Sequence, residues 1–136
     1  MSNDTKIAIA VRADLAIWQK LNVTAFLASG IAAHAPDTIG EPYRDADGVG
    51  YLRIFGMPVV VLAGDTAVLD RAHKRALSRS LPMAVYTEGM FRTGNDLDNR
   101  AVVAALPTVG LDLVGIAVHG DRKDVDKALK DLKLHP

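Results

Sequence analysis

Four short runs along the chain are almost continuously apolar and rich in valine, isoleucine or alanine: KIAIAV at 6–11, VVVLA at 59–63, MAVY at 83–86 and LDLVGIAV at 111–118. A strand with one wet face alternates apolar and polar residues. These runs do not, so both of their faces are expected to be covered, as in a sheet with helices on either side. YLRIF at 51–55 predicts a short extra edge strand.

Between the runs the apolar spacing changes to threes and fours. Over about 17–34, Val23, Phe26, Leu27, Gly30 and Ile31 share one face among small neighbours, which predicts a helix lying close on the sheet. DTAVLDRAHKRALSRSL at 65–81 opens on a capping residue and stops before Pro82, and NDLDNRAVVAAL at 95–106 opens on capping residues and stops before Pro107. At 121–134, Val125, Ala128, Leu129 and Leu132 form one stripe, with Asp126 to Lys130 and Lys127 to Asp131 as four-apart charge pairs. Strands alternating with helices predict a three-layer α/β/α sandwich around a mixed, mostly parallel sheet of four main strands. The segment 34–50 is the one long irregular connection, a kind of loop that is often functional.

Composition changes this picture little. A chain of 136 residues is expected to be one domain, residues 1–136, burying roughly two-thirds of its unfolded surface. Its 16 Lys and Arg balance 16 Asp and Glu, which argues against coating a nucleic-acid backbone. With no cysteine, thiol chemistry and disulfides are excluded. The polar start MSNDTK and the absence of any spanning-length apolar run predict a cytoplasmic protein away from membranes.

Candidate chemistry gathers at two junctions. Ligands in open α/β sheets collect beyond the carboxyl ends of parallel strands. VRADLAIWQKLN at 11–22 places Arg12, Asp14, Trp18, Lys20 and Asn22 where the first strand meets the first helix, and TEGMFRTGND at 87–96 places Glu88, Arg92, Thr93, Asn95 and Asp96 after the MAVY strand. If those strands are neighbours, both clusters line one crevice. Lys20 could then stabilise a developing negative charge, helped by Asn22 or a helix N-terminal amide, while Glu88 acts as a general base and Thr93 positions water. The plainer alternative makes Asp14, Asn95 and Asp96 caps, pairs Arg12 with Asp14 and leaves Lys20 solvated with Trp18 as a lid. Other features carry less. Arg71, Lys74, Arg75 and Arg79 form a basic stripe beside His73 that could meet RNA but reads first as a solvated face. DADG at 45–48 lacks the later carboxylate of a calcium loop, and His34, His73, His119 and His135 lack ligand spacing, although His119, ending the last strand, could approach the crevice. No P-loop, dinucleotide fingerprint or serine elbow is present, and no cofactor or metal is expected.

The same residues carry a family resemblance. VRADL at 11–15, TEGMFRTG at 87–94 and LVGIA at 113–117 resemble, in order and approximate spacing, the V-R-x-D-L, D-A-G-R-T and L-G-I-G-P segments of the type 2 peptidyl-tRNA hydrolases. WQKLNV at 18–23 with EGMFRTGND at 88–96 is more similar still to an uncharacterised branch of that superfamily defined as a domain of unknown function. The resemblance implies a three-layer domain, often a homodimer, with its active edge at the lysine segment and the D-A-G-x-T loop. Arg12 and Asp14 match that pattern. Lys20 stands alone where the hydrolases have Gly-Lys-Gly-Lys, Glu88 replaces aspartate with two extra residues before Arg92 and Thr93, and Ala117 and Val118 replace glycine and proline.

The departures surround the site, so the expectation is a crevice reshaped for another substrate: a hydrolase of an ester or amide bond using Lys20, Glu88 and Thr93, with Arg12 and Asp14 fixing the loop. Its ligand would be a small molecule or peptidyl group, with tRNA not favoured. The alternative is a non-catalytic binding module for a small anionic ligand or a protein segment.

Overall fold

The computed structural model describes residues 4–136; the first three residues of the polar start lie outside it. Strands β1 (Thr5–Arg12), β2 (Tyr43–Arg44), β3 (Gly50–Tyr51), β4 (Val59–Gly64), β5 (Met83–Thr87), β6 (Leu113–Asp121) and β7 (Lys133–Leu134) are joined by helices α1 (Ile17–His34), α2 (Thr66–Ser78), α3 (Asp96–Ala104) and α4 (Arg122–Ala128). Five strands form one sheet in the order β5-β6-β1-β4-β7. No described helix is long and apolar enough to cross a membrane.

Three layers are present because β1 offers a different surface to each side. Ile7, Ile9 and Val11 point toward α1 and bury with Val23, Leu27 and Ile31, whereas Ala8 and Ala10 point the other way, under α2 and α4 with Leu69, Ala72, Val125 and Leu129. Two glycines let α1 settle closely: a Cβ at Gly115 of β6 would lie 2.6 Å from Val23 Cγ1, and one at Gly30 would lie 3.0 Å from Ala84 Cβ. Phe26, expected on this buried face, is instead 52% exposed at its margin.

The sheet is mixed, but it is not mostly parallel. Only β1 and β4 pair in parallel; β1 with β6, β5 with β6, and β4 with β7 are all antiparallel. Continuous apolar strands report cover, not direction. A parallel crossover also needs a helix that layers on the sheet, and α3 buries none of its residues. The chain therefore leaves β5, makes α3 beside the edge, and returns antiparallel as β6. That reversal carries His119 to the far edge, where it pairs with Ile7 near the start of β1, so it does not approach the crevice.

Other expectations shift for local reasons. YLRIF is not an edge strand of the main sheet. Gly50–Tyr51 pairs with Tyr43–Arg44 in an exposed hairpin, whose turn is held by Asp45 accepting from the Asp47 and Val49 amides and from the Tyr51 hydroxyl. The last helix stops at Ala128, and the chain extends to pair Lys133–Leu134 with β4. Its charges find tertiary partners in place of the four-apart ones: Lys6 donates to Asp126 at 2.7 Å, and Asp131 sits 2.9 Å from Arg75 and 3.6 Å from Arg71. Helix α2 ends at Ser78, where Ser80, at φ 55, turns the chain so that the Ser80 and Leu81 amides reach the Leu77 and Ala76 carbonyls.

Candidate functional site

Strands β1 and β5 are not neighbours, because β6 lies between them. Both nevertheless run antiparallel to β6, so their carboxyl ends share one edge. Arg12, the last residue of β1, uses that proximity. Its Nε donates to Asp14 at 2.6 Å and its Nη2 to Glu88 at 3.2 Å. Burial alone would lower the Arg12 pKa, but the hydrogen bond and charge of Asp14, joined by those of Glu88, outweigh it and hold the guanidinium above its ordinary value. Glu88 opens a 3-10 turn, Glu88–Arg92, which its amide anchors to the Asp112 carbonyl at 2.8 Å.

Beside this ion-paired cluster runs a groove between α1 and α3, floored by β5 and the 3-10 turn. One part, about 350 Å³, is lined by Trp18, Asn22, Phe26, Tyr86, Phe91, Thr93, Asn95, Asp96 and Asn99; the other, about 500 Å³, continues along Ala84, Val85, Leu27, Arg100, Val103 and Ala104. The two share Phe26, Tyr86, Met90, Asp96 and Asn99, so they form one depression. Its volume falls in the range of small-molecule sites. Trp18, Asn22 and Phe26 are four residues apart and so lie along one side of α1.

Of the residues expected at the site, Trp18, Asn22, Thr93, Asn95 and Asp96 line this groove. Asn95 is the N-cap of α3, accepting from the Asp98 amide at 2.8 Å, and Asp96 pairs with Arg100 one turn on. The Thr93 hydroxyl lies 2.9 Å from the Met90 carbonyl and also contacts the Asn99 side chain. Arg12, Asp14 and Glu88 form the neighbouring cluster. Lys20 and Arg92 line neither part of the groove, and among the described residues neither side chain has a hydrogen-bond or ion-pair partner; the Lys20 carbonyl accepts from the Thr24 hydroxyl at 2.7 Å. For Lys20 the cause is rotation: two residues past Trp18 it has turned roughly 200° around the helix. The helix start is capped by Ala16 and Gln19, with the Ala16 amide donating to Gln19 Oε1 at 3.0 Å, and Asp14 is occupied by Arg12. Tyr86, Met90, Phe91, Asn99 and Val103 were not among the expected site residues. The four-residue spacing of Trp18, Asn22 and Phe26 was the available signal.

The remaining candidates have structural partners. Arg71 and Arg75 face Asp131, and Arg79 donates to Asp124 at 2.9 Å, so three of the four cations of the α2 stripe are spent on α4 and the turn after it. His73 is buried, and that burial, partly offset by the charge of Asp70, pushes its imidazole below the ordinary 6.5. Among the described residues no three His, Asp or Glu side chains converge as a metal site would require.

Comparison with known proteins agrees with this architecture. A solved structure titled as a protein of unknown function from Agrobacterium tumefaciens strain C58 is similar at 48% identity and a TM-score of 0.97, covering 99% of this chain and 100% of its own. No curated protein matches. The family described as "Protein of unknown function (DUF2000)" matches residues 5–136, and over that span the chain belongs to it.

Proposed function

We propose that the protein binds a small organic molecule in the groove between α1 and α3. The observation that carries this reading is the continuity of the groove: a polar end at Asn22, Thr93 and Asn99 opens into an apolar one at Leu27, Val103 and Ala104, over a shared floor of Tyr86 and Met90. A largely apolar depression with a few converging polar groups is the usual form of a ligand site. An anionic ligand loses support, because the only cation in the lining, Arg100, is tied to Asp96. The test is a thermal-shift screen of small metabolites against the protein and against Val103→Trp, which fills the apolar end. Compounds that raise the melting temperature of the parent and not of the variant support the groove; compounds that stabilise both equally bind elsewhere and count against it.

A second reading, hydrolysis of an ester or amide bond, is favoured by one observation, the Arg12 to Glu88 contact. It joins the two segments that carry the resemblance to the type 2 peptidyl-tRNA hydrolases, and the three-layer mixed sheet is of the kind that resemblance implies. In this reading Glu88 acts on water at the rim while Lys20 and Thr93 serve the oxyanion and the substrate. The arrangement weighs against it in two respects: the Glu88 carboxylate is already engaged by a cation, and Lys20 lies outside the groove. Timed release of tRNA from peptidyl-tRNA by the parent, abolished in Glu88→Gln and Lys20→Ala, supports hydrolysis; no release from the parent removes peptidyl-tRNA as the substrate.

A further inference from the structure

Four of the chain's seven aromatic residues meet at the polar end of the groove. Trp18 contacts Phe91 with ring centroids 6.0 Å apart and planes at 67°; Phe91 contacts Tyr86 at 5.2 Å and 50°; Tyr86 contacts Phe26 at 5.6 Å and 56°. Such tilts make the rings successive walls of a cup and not a stack. Trp18 and Phe26 stand on one side of α1, so the helix closes the remaining side. Tyr86 is buried and forms the floor, while Trp18 at 62% and Phe26 at 52% exposed offer open surface to an entering group.

The charge around the cup is equally uneven. An aromatic face is negative and its edge positive, so a ring-walled cup attracts cations. A helix N-terminus ordinarily favours anions, but the first turn of α3 at the mouth carries Asp96 and Asp98. No unpaired cation lines either part of the groove.

We infer that the cup of Trp18, Phe91, Tyr86 and Phe26 recognises a small organic cation bearing a methylated ammonium group. This deepens the proposal that the groove is a ligand site and rests on it. The methyl groups lie against the ring faces, the first turn of α3 supplies the countercharge because Asp96 and Asp98 outnumber the single Arg100, and the ligand's remainder extends toward Leu27 and Val103. A free small molecule fits better than a membrane headgroup, because the cup sits between two helices and continues into an apolar trough along Leu27, Val103 and Ala104 that takes the rest of the ligand.

Trp18 is the only tryptophan, so its emission reads the cup selectively. The protein is titrated with choline and with 3,3-dimethyl-1-butanol, the same shape with a neutral carbon in place of nitrogen, each to about 50 mM, enough to saturate a millimolar site. The expected result is a saturating change in Trp18 emission with choline, about tenfold weaker with the neutral alcohol and similarly weakened in Phe91→Leu, which keeps an apolar group but removes a ring face. Equal responses to the two probes overturn the inference, since the site then reads shape and not charge. An absent choline response also overturns it. If the metabolite screen yields a neutral compound that moves Trp18 emission while choline does not, the groove stands and the cation falls; if nothing moves it, both fall. Co-sedimentation with phosphatidylcholine vesicles, without a response to free choline, assigns the cup to a headgroup and overturns the free small molecule.

Discussion

The Arg12 guanidinium donates to the Glu88 carboxylate at 3.2 Å although β6 separates their strands, and it holds Asp14 at 2.6 Å with its other arm. One side chain thus joins the loop that begins α1 to the turn that leads to α3, the two walls of the groove. Arg12 and Glu88 are partly buried, with side-chain exposures of 18% and 30%. Arg12→Met is expected to cost about 1–2 kcal/mol, between the values typical of exposed and buried pairs, and Glu88→Gln less. A double-mutant cycle by urea denaturation checks it; coupling near zero would show that the two walls are held independently.

Gly115→Ala is expected to destabilise by roughly 1–3 kcal/mol, because its Cβ meets Val23 Cγ1 at 2.6 Å and Leu27 Cδ1 at 2.9 Å and forces α1 off the sheet. Since Trp18 rides on α1, its emission in the folded variant should also change. Loss of stability with unaltered emission would mean that the strain is absorbed elsewhere.

At the end of α2 the opposite sign is expected. Ser80 holds φ 55 in the left-handed region, which favours glycine. Ser80→Gly should stabilise by about 0.5–1 kcal/mol, the relief of the side-chain clash reduced by glycine's greater freedom when unfolded. A lower melting temperature would contradict this.

The sequence announced the core, the caps, the strand directions and the groove to different degrees. The core faces of β1 and α1 were legible because Ile7, Ile9, Val23 and Leu27 sit at strand and helix spacing, and the caps at Asp65 and Asn95 because each precedes a helical pattern, where it accepts the amide three residues on. Strand direction was not legible, since periodicity reports burial and α3 looked like any crossover helix until its lack of buried residues was seen. The groove was half legible. Trp18, Asn22, Thr93, Asn95 and Asp96 stood out as polar or aromatic at junctions, whereas Tyr86 and Val103 read as ordinary core residues, and only tertiary placement turns them toward a shared hollow. Lys20 drew attention by its charge and neighbours, but its rotation about α1 takes it out of the groove.

His73 should give stability a pH dependence near neutrality. Its folded pKa lies below the ordinary 6.5, so below 6.5 the unfolded chain binds protons more readily than the folded one; stability is intact above that value and is lost as pH falls through the lower folded pKa. Asp45 and Asp131, both held below 3.8 chiefly by hydrogen bonds from Tyr51 and Arg75, add a separate loss at more acidic pH. Melting temperatures of His73→Gln should be flat between about pH 7 and 5, where the parent declines. An unchanged decline would assign it to other groups.

The measurement closest to the central claim is the emission of Trp18 during titration with any compound that raises the melting temperature. Binding in the groove between α1 and α3 predicts that emission changes and saturates with the same concentration dependence as the stabilisation, and that Val103→Trp loses the thermal shift. Stabilisation that leaves Trp18 emission unmoved and persists in Val103→Trp would place the ligand elsewhere and contradict the account.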